Sequence, residues 1–430
     1  MPDFAPSQSA PVVATAPGRQ FAEAIEIIPH REAAEAFITR ICFKLGPPEL
    51  VGLELEWQIH DRRTPTAALS SNRIAAALGP WCPPALRASP APAATMPNGS
   101  AVTVEPGGQL EISTSPASSL AECIGTAAAD SRLLDARLAA SGLSALGAGT
   151  DPHRPPRRLL DLPRYAAMEE YFDRRSSSGR VMMGSTAAVQ PCLDAGRAAG
   201  PDSFVSRWQT LHAIGPALVA MFANSPMLAG RSTGWRSTRQ AAWLDIDPLR
   251  TSAPALGGDP RGQYARFALD APLLCVRRDD GPWTAPPGVT FADWLGGALE
   301  VPATYGDLVY HLSTLFPPVR ACGHFEVRYV DAQPGDGWIV PTAVLWALTA
   351  TQRARVAADA LTEPVAGRWA DAARLGLADA EIAGAAKGLL ELAIDGLAGQ
   401  PEHISSRVTD FAQRYTMRGR SPADDWEATP

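Results

Sequence analysis

The sequence predicts an α+β protein in which an antiparallel sheet presents a concave acidic face and helices pack behind it. Three observations lead there. Four segments between residues 51 and 329 alternate polar and apolar residues with a period of two. The stretches between them space their apolar residues as amphipathic helices do. Residues 341–397 are rich in Ala and Leu, and their pattern is helical almost throughout.

The first alternating segment is Val51-Gly-Leu-Glu-Leu-Glu-Trp57. Val51, Leu53, Leu55 and Trp57 fall on one side, and Glu54, Glu56 and Gln58 on the other. The two glutamates then point the same way, about 6.5–7 Å apart along a strand. Carboxylates held that close repel each other unless a cation lies between them or one keeps its proton. The second segment, Val104-Glu-Pro-Gly-Gly-Gln-Leu-Glu-Ile-Ser113, sets Gln109, Glu111 and Ser113 opposite Leu110 and Ile112, with Glu105 near its start. The third sets Gln190, Cys192 and Asp194 opposite Val189 and Leu193. The fourth sets His324, Glu326 and Arg328 opposite Phe325, Val327 and Tyr329. Arg328 is the one firmly basic residue in the four, whereas an ordinary wet sheet face mixes Thr, Lys and Arg with its acids. So acidic a face requires cations, and its oxygen ligands suit Mg²⁺, with Mn²⁺ as the alternative.

In chain order, residues 32–44 are expected to form a helix behind the sheet, 66–78 a short helix, and 80–98 a Pro/Ala loop. Residues 116–141 form a long helix that Ser118 or Ser119 can cap. Residues 152–163 are basic and turn-rich; 164–178 read as a helix ending at Gly179, and 204–224 as a second long one. Residues 229–250 look irregular and carry Arg231, Arg236, Arg239 and Arg250 beside Trp235 and Trp243. Short helices are expected over 291–299 and 305–316. Because the acidic strands are spread along the chain, one domain over residues 21–420 must gather them. Residues 1–20 are Pro/Ala/Ser-rich and are expected as a disordered tail, and 421–430 as a frayed end.

Composition excludes several classes. A formal charge of −7 offers no broad nucleic-acid surface. No apolar run spans a bilayer, and residues 1–20 lack the basic start and apolar core of a secretory signal. Six cysteines without a CxxC pair or zinc-type spacing fit reduced thiols and a cytoplasmic setting. No GxxxxGK[ST] loop occurs. An acidic metal floor with arginines above it is nonetheless a design for handling phosphates. Arg239 and Arg250 can each grip a carboxylate or phosphate through a two-pronged fork.

Several blocks carry a resemblance. Val51-Gly-Leu-Glu-Leu-Glu56, Glu105-Pro-Gly-Gly-Gln-Leu-Glu-Ile-Ser113, Phe222-Ala-Asn-Ser-Pro226, Ser237-Thr-Arg239 followed by Trp243, and His311-Leu-Ser-Thr-Leu-Phe-Pro317 occur in that order. Together they resemble the signature blocks of glutamate–cysteine ligases, specifically the plant-type enzymes and the bacterial relatives that feed ergothioneine synthesis. The resemblance implies a glutamine-synthetase-like fold and an ATP-dependent reaction. In it the γ-carboxylate of glutamate is phosphorylated, the cysteine amine displaces the phosphate, and γ-glutamylcysteine forms. It implies metal-binding roles for Glu54, Glu56, Glu105, Glu111 and Glu326, with Gln109 beside them, and catalytic roles for Glu326 and Arg328. It places glutamate at Arg239, Gln190 and Trp243, and the nucleotide at Arg250 and Arg328. The partners expected are glutamate, cysteine and ATP, acting on a monomer or weak homodimer. Cys192 stands where the plant-type enzymes have Asn, and no cysteine pair matches their regulatory disulfides. A γ-glutamyl ligase using another amine remains open, as does a homologue that binds nucleotide or amino acid without catalysis. A guanidino phosphotransferase fits less well, since it would rely more on arginines than on acids.

Overall fold

A computed structural model of the chain describes residues 24–46, 49–87, 92–254 and 257–427. The tail expected over residues 1–20 lies outside the described residues. Eight strands form one sheet: β1 (Val51–Asp61), β2 (Ala101–Val104), β3 (Leu110–Ser113), β4 (Leu143–Leu146), β5 (Ala188–Leu193), β8 (Val319–Ala321), β9 (Phe325–Val327) and β10 (Val330–Asp331). The short strands β6 (Met227–Leu228) and β7 (Arg231–Ser232) make a separate hairpin. The main path runs β2-β3-β1-β5-β9-β8, and every pairing is antiparallel. β4 extends the sheet beside the second half of β1, and β10 does so beside the first part of β5.

The register brings the acids together. Glu54 lies opposite Ser113 on one side and Gln190 on the other, Glu56 faces Glu111, and Glu326 faces Cys192 and Arg320. Since side chains alternate along each strand, these residues share one face of the sheet, and Leu53, Leu55, Leu110, Ile112 and Val189 fill the other. β1 alternates cleanly only as far as Glu56; from Trp57 to His60 every residue is buried. There the polar side is covered as well. The Gln58 amide donates to the Ser185 carbonyl at 2.7 Å, and His60 pairs with Asp151 at 2.9 Å.

Behind the sheet lies a single apolar cluster running from Ile28 to Tyr415. The helix Leu120–Ala140 is capped as expected: Ser119 accepts from the Glu122 N–H, and Ser118 bonds the Glu122 carboxylate. The C-terminal helices Ile339–Ala350, Gln352–Thr362, Ala380–Gly396 and Glu402–Arg414 complete this layer.

Several elements differ from the sequence reading. The helix expected over 204–224 is two helices, Phe204–Ala213 and Gly215–Met221, because Pro216 has no N–H for the ladder of the first. Gly179 does not end a helix but lies in a new one, Ser178–Ser185, where a side chain would strike the Phe172 ring. The irregular stretch 229–250 contains a helix, Thr238–Ile246, whose cap is Ser237 accepting from Gln240 N–H. The end expected to fray is folded from Ser421 to Glu427: Ala423 is fully buried, and the Trp426 indole donates to Asn224 Oδ1 at 2.8 Å.

Candidate active site

Glu105 reaches the floor from the turn between β2 and β3. That turn closes through Glu105 N–H to the Gln109 carbonyl and Gly108 N–H to the Glu105 carbonyl, both 2.8 Å. Gly108 has φ +92°, and a Cβ on Gly107 would lie 2.4 Å from the Gly184 carbonyl. Only glycine fits either place. Gln109 keeps its Oε1 buried and without a hydrogen-bond partner among the described residues. Its amide donates to the Thr186 carbonyl at 2.9 Å, so it ties the turn to the chain entering β5.

Glu54, Glu56, Glu105, Glu111 and Glu326 are linked in a chain of electrostatic contacts through Glu111, and they divide into two unlike groups. Burial and the charge of Glu111 push the Glu105 carboxyl up to about 7. Burial raises Glu54 and Glu56 well above the ordinary range, assisted by Glu111 on the first and Glu105 on the second. Burial raises Glu111 too, against hydrogen bonds from Thr103 at 2.5 Å and Ser113 at 3.2 Å. Gln190 supplies one donor, Nε2 to Glu56 at 2.7 Å, and reaches Glu54 at 3.4 Å. This pole has more negative charge than donors to hold it.

Glu326 is the opposite case. Burial works against its charge, yet Arg320 and Arg328 hold its carboxyl down at about 2. Arg320 grips Oε2 through Nε and Nη2 at 2.8 and 2.6 Å, and Arg328 grips Oε1. With both oxygens on guanidinium groups, Glu326 is the least available of the five acids to a hard cation. Arg328 is itself held under the Trp243 and Phe316 rings, 5.6 and 5.8 Å from their centroids. A cavity of about 260 Å³ opens beside it, lined by Gln240, Trp243, Phe316, Arg328, Tyr329 and Trp369.

Arg239 sits 2% exposed at the edge of the floor. Its Nη2 donates to the Arg328 carbonyl at 2.7 Å, while Nε and Nη1 find no hydrogen-bond acceptor among the described residues. Asp331 lies 3.9 Å from Nη1, but its oxygens are already taken by Ser237 at 2.9 Å, Ser225 at 2.7 Å and the Asn224 N–H at 2.9 Å. Leaving donors of a buried guanidinium unpaired is costly. The arrangement asks for an anion with two oxygens at that point.

The other arginines of the same stretch do not reach the floor. Arg231 is exposed in the β6–β7 hairpin, and Arg236 pairs with Asp424 at 3.1 Å. Arg250, expected at the nucleotide, is a correction. It is fully buried, with Nη1 on Thr314 at 2.7 and 2.9 Å, Nη2 on the Pro272 carbonyl, and its plane over the Tyr171 ring. It braces the helix-and-loop layer instead. His311 is likewise structural, bonding the Ala268 carbonyl at 2.8 Å. Arg320 and Asp331 were missed by sequence reading. Arg320 lies in a three-residue strand, too short to show alternation, and a break at Arg328–Tyr329 shifts Asp331 out of the expected parity.

Residues 50–429 match the family described as glutamate-cysteine ligase family 2. The chain is 39% identical over 415 residues to a glutamate–cysteine ligase, EgtA, of Mycobacterium tuberculosis, covering 94% of this chain and 90% of that one. It is 38% identical over 404 residues to the EgtA ligase of Mycolicibacterium smegmatis, covering 92% and 90%. A chloroplastic glutamate–cysteine ligase of Brassica juncea is 34% identical over 245 residues, or 54% of this chain and 46% of that one. Among solved structures, a glutamate–cysteine ligase of Francisella tularensis in complex with AMP superposes with a TM-score of 0.50 at 12% identity, covering 89% and 84%. That likeness shows the α+β fold. Among the described residues no helix is long and apolar enough to cross a membrane.

Proposed function

The chain belongs to glutamate-cysteine ligase family 2, and we propose that it joins the γ-carboxylate of glutamate to the amine of cysteine at the expense of ATP. The observation that carries this reading is the buried Arg239, two of whose nitrogens have no hydrogen-bond acceptor among the described residues, beside a pole of acids short of positive charge. The first asks for a carboxylate and the second for divalent cations. An ATP-dependent ligase of glutamate brings both.

The donor set fits Mg²⁺: all-oxygen, acidic and partly open to water. Glu54, Glu56, Glu105 and Glu111 would hold it, with Glu326 at the margin. When bound, it supplies the positive charge that a phosphoryl group needs as it moves between oxygens. The protein's own groups do the rest. Arg239 takes a glutamate carboxylate through its fork, with Asp331 keeping the guanidinium in place. Gln190 and Trp243 border the same space. Arg328, held by Trp243, Phe316 and Glu326, faces the phosphoryl oxygens as their charge builds up. The acyl phosphate so formed is attacked by the acceptor amine, phosphate leaves, and an amide remains.

The EgtA relatives support placing the product in ergothioneine synthesis, and a cytoplasmic, monomeric or weakly dimeric enzyme is the accompanying reading. The test is incubation with glutamate, cysteine, ATP and Mg²⁺ and detection of γ-glutamylcysteine by mass. Phosphate release with other amines but no dipeptide with cysteine would move the acceptor. No turnover with any amine would leave a binding protein.

A further inference from the structure

The hairpin from β8 to β9 carries a second ligand set, in which Cys322 and His324 have no part in the ligase reaction proposed above and Glu326 is shared with it. Cys322 and His324 lie in the turn between β8 and β9 and Glu326 lies in β9, and the turn brings their side chains to one point. Cys322 Sγ lies 3.4 Å from His324 Nε2 and 3.7 Å from Glu326 Oε2, and one donor atom from each residue lies within 4.8 Å of the other two. A tetrahedral zinc ion with ordinary Zn–S, Zn–N and Zn–O bonds separates its sulfur from its nitrogen or oxygen ligands by about 3.5–3.6 Å. The observed distances bracket that edge. The turn is fixed by Gly323, at φ +93°, and by the Cys322 N–H donating to the His324 carbonyl at 3.0 Å. Cys322 and His324 are both partly exposed, so an ion can enter.

We propose that Cys322, His324 and Glu326 form a binding site for a thiophilic divalent cation such as Zn²⁺, distinct from the hard-cation pole at Glu54 and Glu111. The Cys322 thiolate supplies the ion's counter-charge, Glu326 adds a carboxylate oxygen that it shares with Arg320, and the neutral imidazole adds a third ligand. Water fills the fourth position. Binding releases the thiol proton of Cys322 to solvent, and no bond is oxidised or reduced. Oε2 of Glu326, now held by Arg320, turns one lone pair to the ion. That change draws Glu326 away from Arg328, so occupancy of the site opposes the ligase reaction. The opposition rests on the function proposed above; the binding does not.

The experiment uses metal-stripped full-length protein without substrates. Zn²⁺ is titrated in competition with a chromophoric chelator, and Co²⁺ serves as a spectroscopic probe of the ligands. The wild type should bind one Zn²⁺ per chain, and the Co²⁺ form should show a thiolate-to-metal charge-transfer band. Cys322→Ser should lose the band and bind Zn²⁺ at least a hundred-fold more weakly, beyond the roughly ten- to hundred-fold that loss of a supporting hydrogen bond costs. His324→Gln should weaken binding but keep the band, which separates ligand loss from misfolding. Both variants should retain their melting temperature and Mg²⁺-dependent turnover, and Cys322→Ser should escape zinc inhibition. Equal Zn²⁺ affinity in wild type and Cys322→Ser, or a Co²⁺ spectrum without the thiolate band, overturns the proposal. Zinc binding with no dipeptide synthesis would instead sink the ligase reading and leave this site standing.

Discussion

The acid pole should make the metal-free protein less stable as the pH rises from 7 to 8. Glu54 and Glu56 keep their protons well above the ordinary carboxylate range, and Glu105 titrates at about 7. In the unfolded chain all three ionise near pH 4.3. A group whose folded pKa lies above its unfolded value stabilises the fold below the unfolded pKa, and that contribution is lost as pH rises through the folded pKa. Here the loss begins near pH 4.3 and continues past neutrality. Two other sets of groups stay out of the window from pH 7 to 8. Glu326, held at about 2, has its whole effect at acid pH. His212 and His311, depressed by burial to about 4 and about 3, bind fewer protons than the unfolded chain only below about pH 7. The buried thiols, among them Cys42 raised to about 12, add to the same slope as the thiols of the unfolded chain begin to ionise toward pH 8.

Each proton retained by the fold and lost from the unfolded chain costs about 1.4 kcal/mol per pH unit. One to two protons is a fair discount for three coupled acids that are only partly buried. With an unfolding entropy near 2.1 cal/mol/K per residue, 430 residues give roughly 0.9 kcal/mol/K. The melting temperature should then fall by roughly 1.5–3 °C between pH 7 and 8. Saturating Mg²⁺ displaces those protons and should flatten the slope while raising the melting temperature throughout. Scanning calorimetry with and without Mg²⁺ measures both, and titration in buffers of different ionisation enthalpy counts the protons released. A metal-free melting temperature that is level or rises across this window refutes the reasoning, as does a slope that Mg²⁺ leaves unchanged.

Further outcomes follow from individual residues. Glu54→Gln and Glu111→Gln should each abolish Mg²⁺-dependent turnover while the metal-free melting temperature at pH 8 holds or rises, since one buried charge is gone; turnover in both variants would dismiss the metal floor. Arg239→Lys keeps the charge but loses the fork, so the KM for glutamate should rise about ten- to a hundred-fold with the KM for ATP unmoved; the reverse pattern would put Arg239 on the phosphate side. Trp426→Phe leaves Asn224 Oδ1 without its donor. It should cost about 1–2 kcal/mol in a denaturant melt. Because Asn224 and Ser225 hold Asp331 beside Arg239, it should also raise the KM for glutamate a few-fold; an unaltered KM would make the C-terminal helix a stabilising element only.

The floor was legible in the sequence because strands print their faces as a period of two, and antiparallel pairing does not disturb it. Glu54, Glu56, Glu111, Gln190 and Glu326 could be grouped before any contact was known. What could not be read were interactions set by single turns and by burial of long side chains. Arg239 and Arg250 share a stretch and a residue type, yet one has Nε and Nη1 without a hydrogen-bond acceptor among the described residues and the other has both terminal nitrogens on Thr314 and Pro272. Only the positions of carbonyls 64 and 22 residues away distinguish them. The end from Ser421 looked like a tail because five residues are too few to show periodicity, and its anchor is a partner 202 residues distant.

The two poles of the floor also bear on how the site works. A uniform acidic face would draw cations anywhere along it, and a uniform basic one would hold phosphate too firmly to release it. In this protein Arg320 and Arg328 neutralise Glu326 outright, whereas Glu54, Glu56, Glu105 and Glu111 share one amide, two hydroxyls and no ion pair among the described residues. In the function proposed above, divalent cations would be directed to the second pole, at least two strand spacings, about 10 Å, from the first, since β5 runs between β1 and β9. In the proposed reaction a phosphoryl group lying between them would have the cation held by the acids on one side and Arg328 on the other. Arg328 is restrained there by Glu326, Trp243 and Phe316, so little reorganisation remains when charge develops on the transferring oxygens. Glu326 then serves chiefly by positioning Arg328. Glu326→Gln should lower kcat more than it raises the KM for Mg²⁺, whereas Glu54→Gln should lose Mg²⁺ binding itself. A calorimetric Mg²⁺ titration of the two variants decides it, and equal loss of Mg²⁺ affinity in both would merge the two poles into one.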